Sequence, residues 1–346
     1  MKTHLLVAAA ALLAQASSFN THAAAPAKPI ELSFSHHETT ASYFRNHGLV
    51  PWMKRIEEAT QGRVKIVEYP SQTLSKQAAA WQATITGVAD MAWTASIFYP
   101  GQFPLTDVIT LPFLPITSGE TGSGVLYQLY AKFPEIQNEY RNVKMLTPHI
   151  AGPYFLQTVR KQVKTLEDLK GLKVRTIAGP PTAAMKLLGA TPLLIPIPDI
   201  YLALQKGVLD GAGTTFNAAL QWRYYELIKY YTYVPLYSGA SFMIMNLNKW
   251  KSLPKDIQEQ ITSVTGMDAA RRVGKAFRDE VEPSFRERLA KDGYSMTEYT
   301  LPKDEVNKWI DVGAKPVWET YIKQLEAKGL PAQKVLDETL RLLKQN

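Results

Sequence analysis

The chain has 346 residues, with 39 lysines and arginines against 31 aspartates and glutamates, and it contains no cysteine. The lack of cysteine excludes disulfides, thiolate metal sites, cysteine nucleophiles and a lipid-anchoring cysteine. The net charge of +8 is scattered rather than clustered, so nucleic acid is not expected as a partner. Because the length exceeds the usual domain of roughly 100–200 residues, we expect two lobes.

The first 25 residues are typical of an export signal. Lys2 and His4 precede an apolar run at 5–14, and small residues end the segment at 23–25. This run is shorter than the ~20 residues that span a bilayer. We therefore expect cleavage after Ala23 or Ala25, periplasmic localisation, and no transmembrane helix in the mature chain. Loss of Lys2 lowers the net charge from +8 to +7.

Hydrophobic periodicity predicts strands that alternate with helices, which is typical of an α/β fold. In the first half, strands are predicted at 30–35, 63–69, 88–95 and 143–149, and helices at 42–60, 75–86 and 119–140. In the second half, strands are predicted at 154–159, 172–175, 193–195 and 240–247, and helices at 182–188, 199–206 and 216–231. A nearly unbroken helical pattern covers 255–292, with a kink expected at Pro283.

Arg175 ends the short apolar strand at 172–175. The strand, helix, strand and helix between 172 and 206 have the length of a βαβ unit, so a parallel sheet is expected. Ligands of such sheets bind beyond the carboxyl ends of the strands, which is where Arg175 lies. A guanidinium group at that place can hold a carboxylate through two parallel hydrogen bonds.

The surroundings of Arg175 resemble the DctP-type solute-binding proteins of TRAP transporters. The family elements present, in chain order, are ATQGRV at 59–64, YPSQTL at 69–74, GVADM at 87–91, LPF at 111–113, KGLKVR at 170–175, GATP at 189–192, YLALQKGVLDG at 201–211 and WKSLP at 250–254. Their order, maintained over roughly two hundred residues, is what identifies the family.

The resemblance implies a two-lobed α/β fold, like that of periplasmic binding proteins, with a long helix that spans both lobes. On this basis we assign 28–150 and 240–275 to lobe I, and 151–239 and 276–346 to lobe II. The implied function is an extracytoplasmic receptor that captures an organic acid anion and delivers it to the membrane permease of a TRAP-type secondary transporter. We expect a monomer with no cofactor and no metal.

In the resembled proteins, the arginine that matches Arg175 binds the ligand carboxylate. Sialic-acid-type relatives carry a second arginine 20 residues earlier and an asparagine after the DG turn; ungapped counting places Phe155 and Thr214 at these positions. A second anionic group on the ligand would therefore find no arginine at position 155 to bind it. We expect one carboxylate on an aromatic or largely apolar body. The predicted ligand-binding residues are His37, Tyr43, Trp93, Phe155, Arg175, Thr214, Phe216 and Tyr237.

Other interpretations stay open at this level. Since His36 and His37 are neighbours on a strand, only one of them can face the cleft, which argues against a two-histidine metal site. A receptor for C4-dicarboxylates or sugar acids remains possible within the same family, as does a role in sensing. A secreted enzyme that acts on small carboxylates is the alternative of another class. It is disfavoured because the sequence has no GxSxG, P-loop or complete dinucleotide fingerprint.

Overall fold

The computed structural model describes residues 28–345, so the predicted export signal at 1–25 lies outside the described residues. Within this range the strands form one mixed sheet in the order β2-β1-β3-β8-β4-β7-β5-β6, with β9 paired to β8. The strands are β1 (Ile30–Ser35), β2 (Val64–Tyr69), β3 (Met91–Ala95), β4 (Val143–Thr158), β5 (Lys173–Arg175), β6 (Thr191–Leu193), β7 (Gly211–Thr214), β8 (Tyr230–Asn246) and β9 (Thr297–Thr300).

Helices cover both faces of this sheet. They are α1 (Val50–Ala59), α2 (Ala80–Thr86), α3 (Gly119–Lys132), α4 (Pro134–Glu139), α5 (Leu166–Leu169), α6 (Pro180–Leu187), α7 (Ile200–Gln205), α8 (Phe216–Gln221), α9 (Leu247–Ser252), α10 (Lys255–Val264), α11 (Met267–Gly274), α12 (Val281–Lys291), α13 (Lys303–Trp309), α14 (Lys315–Glu326) and α15 (Ala332–Gln345). The predicted α/β class with two lobes is confirmed.

Two long antiparallel strands, β4 and β8, run through both lobes. Parallel pairing joins β1 to β2 and β3 in the first lobe, and β5 to β6 and β7 in the second. The β4–β8 ladder shifts register between Ala151 and Tyr154 and again between Tyr154 and Leu156. The carboxyl ends of β1 and β3 therefore meet those of β5 and β7 around the middle of the two long strands.

The prediction of a helix at 216–231 is wrong in its second half. Helix α8 ends at Gln221, and Tyr230 begins the long strand β8. Aromatic and β-branched residues dominate 230–237, and such residues favour strands. Tyr231 is buried and pairs with Gln157 of β4, so the long-range pairing decides the structure of this segment.

The helical pattern at 255–292 is present but segmented. Helix α10 ends at Val264, Gly266 is extended (φ −79°, ψ −151°), and α11 begins at Met267. A π-helical turn, Lys275–Asp279, then leads to α12. Pro283 lies in the first turn of α12, directly after the π-helical turn, so the helical pattern is interrupted at Gly266 and again just before the proline.

Helices α3 and α11 cross at very short range through Gly119 and Gly274. A Cβ atom placed on Gly274 would lie 2.0 Å from the Ser123 hydroxyl oxygen and 2.3 Å from the Gly119 carbonyl oxygen. Asp279 strengthens this crossing, because its carboxylate accepts hydrogen bonds from the backbone amides of Gly119 (2.9 Å) and Glu120 (3.0 Å) at the start of α3. Helix α11 and the π-helical turn are therefore fixed to lobe I before the chain continues into α12.

The end of the chain packs on lobe I. Val335, Leu336, Leu342 and Leu343 of α15 belong to the same buried cluster as Phe103. The Trp318 indole donates to the Pro112 carbonyl at 2.9 Å, so α14 is attached to the same lobe. For 332–345 this packing differs from the expected assignment of 276–346 to lobe II, whereas Val281 and Phe285 of α12 lie in the buried cluster of lobe II with Phe216. The physical reason is that the apolar face of α15 covers α3, which sequence order does not reveal.

Candidate functional site

A cleft with an empty volume of about 650 Å³ lies between the lobes, at the carboxyl ends of their parallel strands. The segments after β1 and β3 contribute from lobe I, and β5, β7 and α8 contribute from lobe II. This volume includes the open mouth of the cleft, and the position is the usual ligand site of parallel sheets. The fold therefore places an open cleft where the sequence predicted a binding site.

Arg175 is the cationic group of the cleft. It is 5% exposed, its Nε donates to the Ile195 carbonyl at 3.3 Å, and its Nη1 donates to the Gly213 carbonyl at 3.2 Å. Tyr237 donates to the same Gly213 carbonyl at 3.1 Å and so supports the guanidinium group from behind. Among residues 28–345, no salt bridge joins Arg175 to a carboxylate. Burying a cation without an anionic partner costs free energy, so this position favours an anion supplied from outside.

An aromatic wall lines the lobe I side. The His37 ring stacks on Trp93 with 4.6 Å between centroids, and the Phe98 ring meets His37 edge-on at 5.6 Å. The Trp93 indole donates to Nε2 of His149 at 2.8 Å, which fixes the orientation of the indole. Flat apolar surfaces of this kind bind ring systems through stacking and burial.

Asn217 of α8 connects the two lobes across the cleft. Its side-chain oxygen accepts from the Phe44 amide at 3.1 Å, and its Nδ2 donates to Glu38 at 3.4 Å. The Ser42 hydroxyl also donates to the Glu38 carboxyl group. Burial raises the pKa of Glu38, an effect that the hydrogen bonds from Ser42 and Asn217 only partly oppose. The cleft therefore contains one cation, Arg175, and one buried carboxyl group.

The pKa of His149 makes the stability of this site depend on pH. Burial lowers the pKa to about 4 from an ordinary 6.5, against the raising effect of the Ile150 carbonyl. Between pH 6.5 and 4 the unfolded chain therefore binds a proton that the folded protein does not. The stabilisation is complete above pH 6.5 and is lost as the pH falls toward 4, by about 3 kcal/mol.

We expect the free energy of unfolding of the wild type to approach that of His149→Gln as the pH falls from 6.5 to 4. Urea unfolding at four pH values measures the free energy of unfolding of both proteins. The titration of groups that are common to both cancels in the difference between these free energies. Parallel pH profiles of the two proteins would show that His149 does not titrate in this way.

The structure brings half of the predicted ligand-binding residues to the cleft. His37, Trp93, Arg175 and Thr214 line it. Tyr43, Phe155, Phe216 and Tyr237 do not: Tyr43 stacks on His47 at 4.1 Å, and Tyr237 lies behind Arg175.

Phe155 and Phe216 surround another buried arginine. The Arg278 guanidinium carbon lies 4.7 Å from the Phe155 ring centroid and 5.4 Å from that of Phe216, and Arg278 pairs with Glu282 at 3.2 Å. The phenylalanine at position 155 therefore serves cation–π packing in lobe II instead of facing the ligand space.

Several lining residues were not predicted. They are Glu38, Gln72, Gln77, Asn217, Gln221, Trp222, Ser241 and Phe277, among others. For Asn217 and Gln221 a signal existed, since their spacing of four residues places them on one face of a helix that follows the DG turn. Ser241 and Phe277 reach the cleft only through β8 and the helical segment after α11, and no local pattern marks them.

Two α/β lobes with parallel strands, joined by two long antiparallel strands, enclose a cleft with a buried arginine that has no acidic partner among residues 28–345. This arrangement defines a two-lobed solute-binding protein. The chain belongs to the bacterial extracellular solute-binding protein family 7, DctP, whose model matches residues 34–324. It is a receptor of the kind that serves TRAP transporters, and not an enzyme. Among the described residues, no helix has the length and apolar character needed to cross a membrane.

Solved structures and a curated relative agree with this family. A Bordetella bronchiseptica TRAP solute-binding protein with bound mandelate is 26% identical (TM-score 0.82), covering 92% of this chain and 99% of that one. A marine metagenome protein specific for aromatic acids, in complex with 3-hydroxybenzoate, is 25% identical (TM-score 0.83), covering 92% and 98%. The Vibrio cholerae C4-dicarboxylate-binding protein DctP is 24% identical, covering 95% of this chain and 97% of its own length.

Proposed function

We propose that this chain captures an aromatic monocarboxylate in the periplasm, with Arg175 as the carboxylate anchor, and delivers it to the permease of a TRAP transporter. The observation that carries the proposal is the burial of Arg175 without an acidic partner among residues 28–345. A ligand carboxylate supplies the missing charge, and a planar guanidinium can hold it through two hydrogen bonds. Thr214, buried on the neighbouring strand, is the hydrogen-bonding residue proposed beside it.

The walls of the cleft support a ring as the body of the ligand. Trp93 and His37 form a stacked surface, and Phe98, Tyr154, Trp222 and Phe277 also line the space. Arg175 is the one lysine or arginine among the residues that line this cleft, so a second carboxylate has no cation to bind. The mandelate and 3-hydroxybenzoate of the two structural relatives are ligands of this type.

In the proposed cycle the protein is a monomer that the segment at 1–25 directs to the periplasm. Ligand binding shifts the population toward the arrangement in which both lobes contact the ligand. The size of this shift is set by the difference in the ligand's affinity for the two arrangements. The bonds of Asn217 to Glu38 and Phe44 link the lobes in the arrangement seen here.

A thermal-shift screen of the mature protein tests this proposal. We expect aromatic monocarboxylates to raise the melting temperature by several degrees, since ligand at a hundredfold excess over Kd adds about 2.7 kcal/mol of stability. Short dicarboxylates, sugar acids and 2-oxo acids serve as comparison classes at equal concentration.

The outcome of the screen separates the alternatives within the family. A shift produced only by C4-dicarboxylates, as the Vibrio cholerae relative would suggest, refutes the aromatic ligand and retains the receptor. A rise in melting temperature produced only by sugar acids would likewise refute the aromatic ligand and retain the receptor.

A further inference from the structure

The cleft contains polar atoms that a purely apolar ligand body would leave unpaired. Nε2 of Gln77, Nε2 of Gln221 and Oγ of Ser241 are buried, line the cleft, and have no hydrogen-bond partner among the described residues. Buried polar groups in native proteins are nearly always hydrogen-bonded, and leaving them unpaired is costly. The pattern therefore indicates an occupant with polar substituents besides its carboxylate.

Glu38 is a further polar group that lines the cleft. The residue is 3% exposed, and its Oε2 accepts the bonds from Ser42 and Asn217. Oε1 lies 3.6 Å from Nε2 of His37, which is too far for a hydrogen bond. Among residues 28–345 no hydrogen bond is formed with Oε1, so this oxygen remains available to a ligand beside the His37 ring.

A hydroxyl group is the substituent that suits this oxygen. A hydroxyl can donate to an ionised carboxylate and can accept from a protonated carboxyl group, so it pairs with Glu38 in either state. An apolar substituent would leave the oxygen unpaired. A second ligand carboxylate would lie beside Glu38 without a cation among the cleft-lining residues.

We infer that the ligand carries a hydroxyl group away from its carboxylate, and that Glu38 is the residue that selects for this hydroxyl. The inference rests on the proposed function, because it assumes that Arg175 holds the carboxylate of an aromatic acid. It makes the ligand a hydroxylated aromatic acid instead of a plain aromatic one.

Isothermal titration calorimetry with matched ligands tests the hydroxyl in the unaltered protein. The 2-, 3- and 4-hydroxybenzoates are each compared with the methylbenzoate of the same ring position, which has a similar shape but no hydrogen-bonding group. Benzene-1,3-dicarboxylate probes the second anion. We expect at least one hydroxybenzoate to bind about tenfold more tightly than its methyl counterpart, and more tightly than the dicarboxylate.

Glu38→Met then tests the residue, because methionine keeps the length of the side chain and removes its hydrogen-bonding capacity. We expect the preference for hydroxyl over methyl to fall toward unity in this variant. Glu319→Met, the same replacement at an exposed position of α14, is the matched control and is expected to keep the wild-type preference.

Each result decides a different part of the inference. Equal or tighter binding of the methylbenzoates at all three positions refutes the hydroxyl, and tighter binding of the dicarboxylate does so as well. An unchanged preference in Glu38→Met refutes the role of Glu38. If the wild type binds no benzoate of any kind, the proposed function itself fails, which distinguishes the two levels.

Discussion

Arg175→Ala is expected to lower the affinity for the ligand carboxylate by at least about a hundredfold. Removing one partner of a buried, hydrogen-bonded charge pair costs about 3–5 kcal/mol, because the remaining charge is left without compensation. Calorimetric titration of the variant with the ligand found in the thermal-shift screen measures this loss. Arg175→Lys should bind with intermediate affinity, since lysine keeps the charge but lacks the planar fork.

Arg160→Ala is the control for this experiment. It removes the same charge from an exposed position on the same lobe and should leave the affinity unchanged. The melting temperature of the ligand-free Arg175→Ala protein shows whether the variant is folded. Wild-type affinity in a folded Arg175→Ala protein would contradict the proposed anchor.

Gly274→Ala is expected to destabilise the protein by about 3 kcal/mol. Replacing a glycine by alanine within a helix ordinarily stabilises it by about 0.5–1 kcal/mol. Here the sign reverses, because the new Cβ atom would lie 2.3 Å from the backbone oxygen of Gly119, and a backbone cannot move aside cheaply. Urea unfolding, compared with the wild type, measures the change.

Gly266→Ala is the matched control at the other end of α11. The nearest atom to its new Cβ is the Tyr127 hydroxyl at 3.5 Å, an ordinary contact. We expect a change within about 1 kcal/mol, the usual cost of replacing a helix-capping residue. Equal effects of the two substitutions would show that the α3–α11 crossing does not depend on close backbone contact.

The strands and helices that pack against segments close to them along the chain could be predicted from the sequence. Strand β1 was predicted with its observed bounds, and β5 within one residue. The full extent of β4 and β8 was not predicted, because each pairs with a strand distant in sequence. Tyr230–Asn246 shows the reason: its aromatic and β-branched start favours a strand, but the extent of that strand depends on β4, a partner distant in sequence.

The candidate site was predictable only in part, for the same reason. Arg175 follows from its place at the end of a short strand within a family motif. Phe155 shares the aromatic character expected of a ligand contact, yet the structure uses it to cover Arg278. Glu38 directly follows two histidines in a polar segment, and no sequence pattern shows that Asn217, far along the chain, lies against it.

The pairing of β4 with β8 also constrains the order in which this protein can fold. Each lobe needs residues 230–246 for the centre of its sheet, and lobe I additionally needs α15 to cover its core. Neither lobe can be completed from the first two hundred residues alone. Contacts between segments so distant in sequence form slowly, because a long loop must close before they contribute. The two lobes are therefore expected to acquire their structure together, after nearly the whole chain is available.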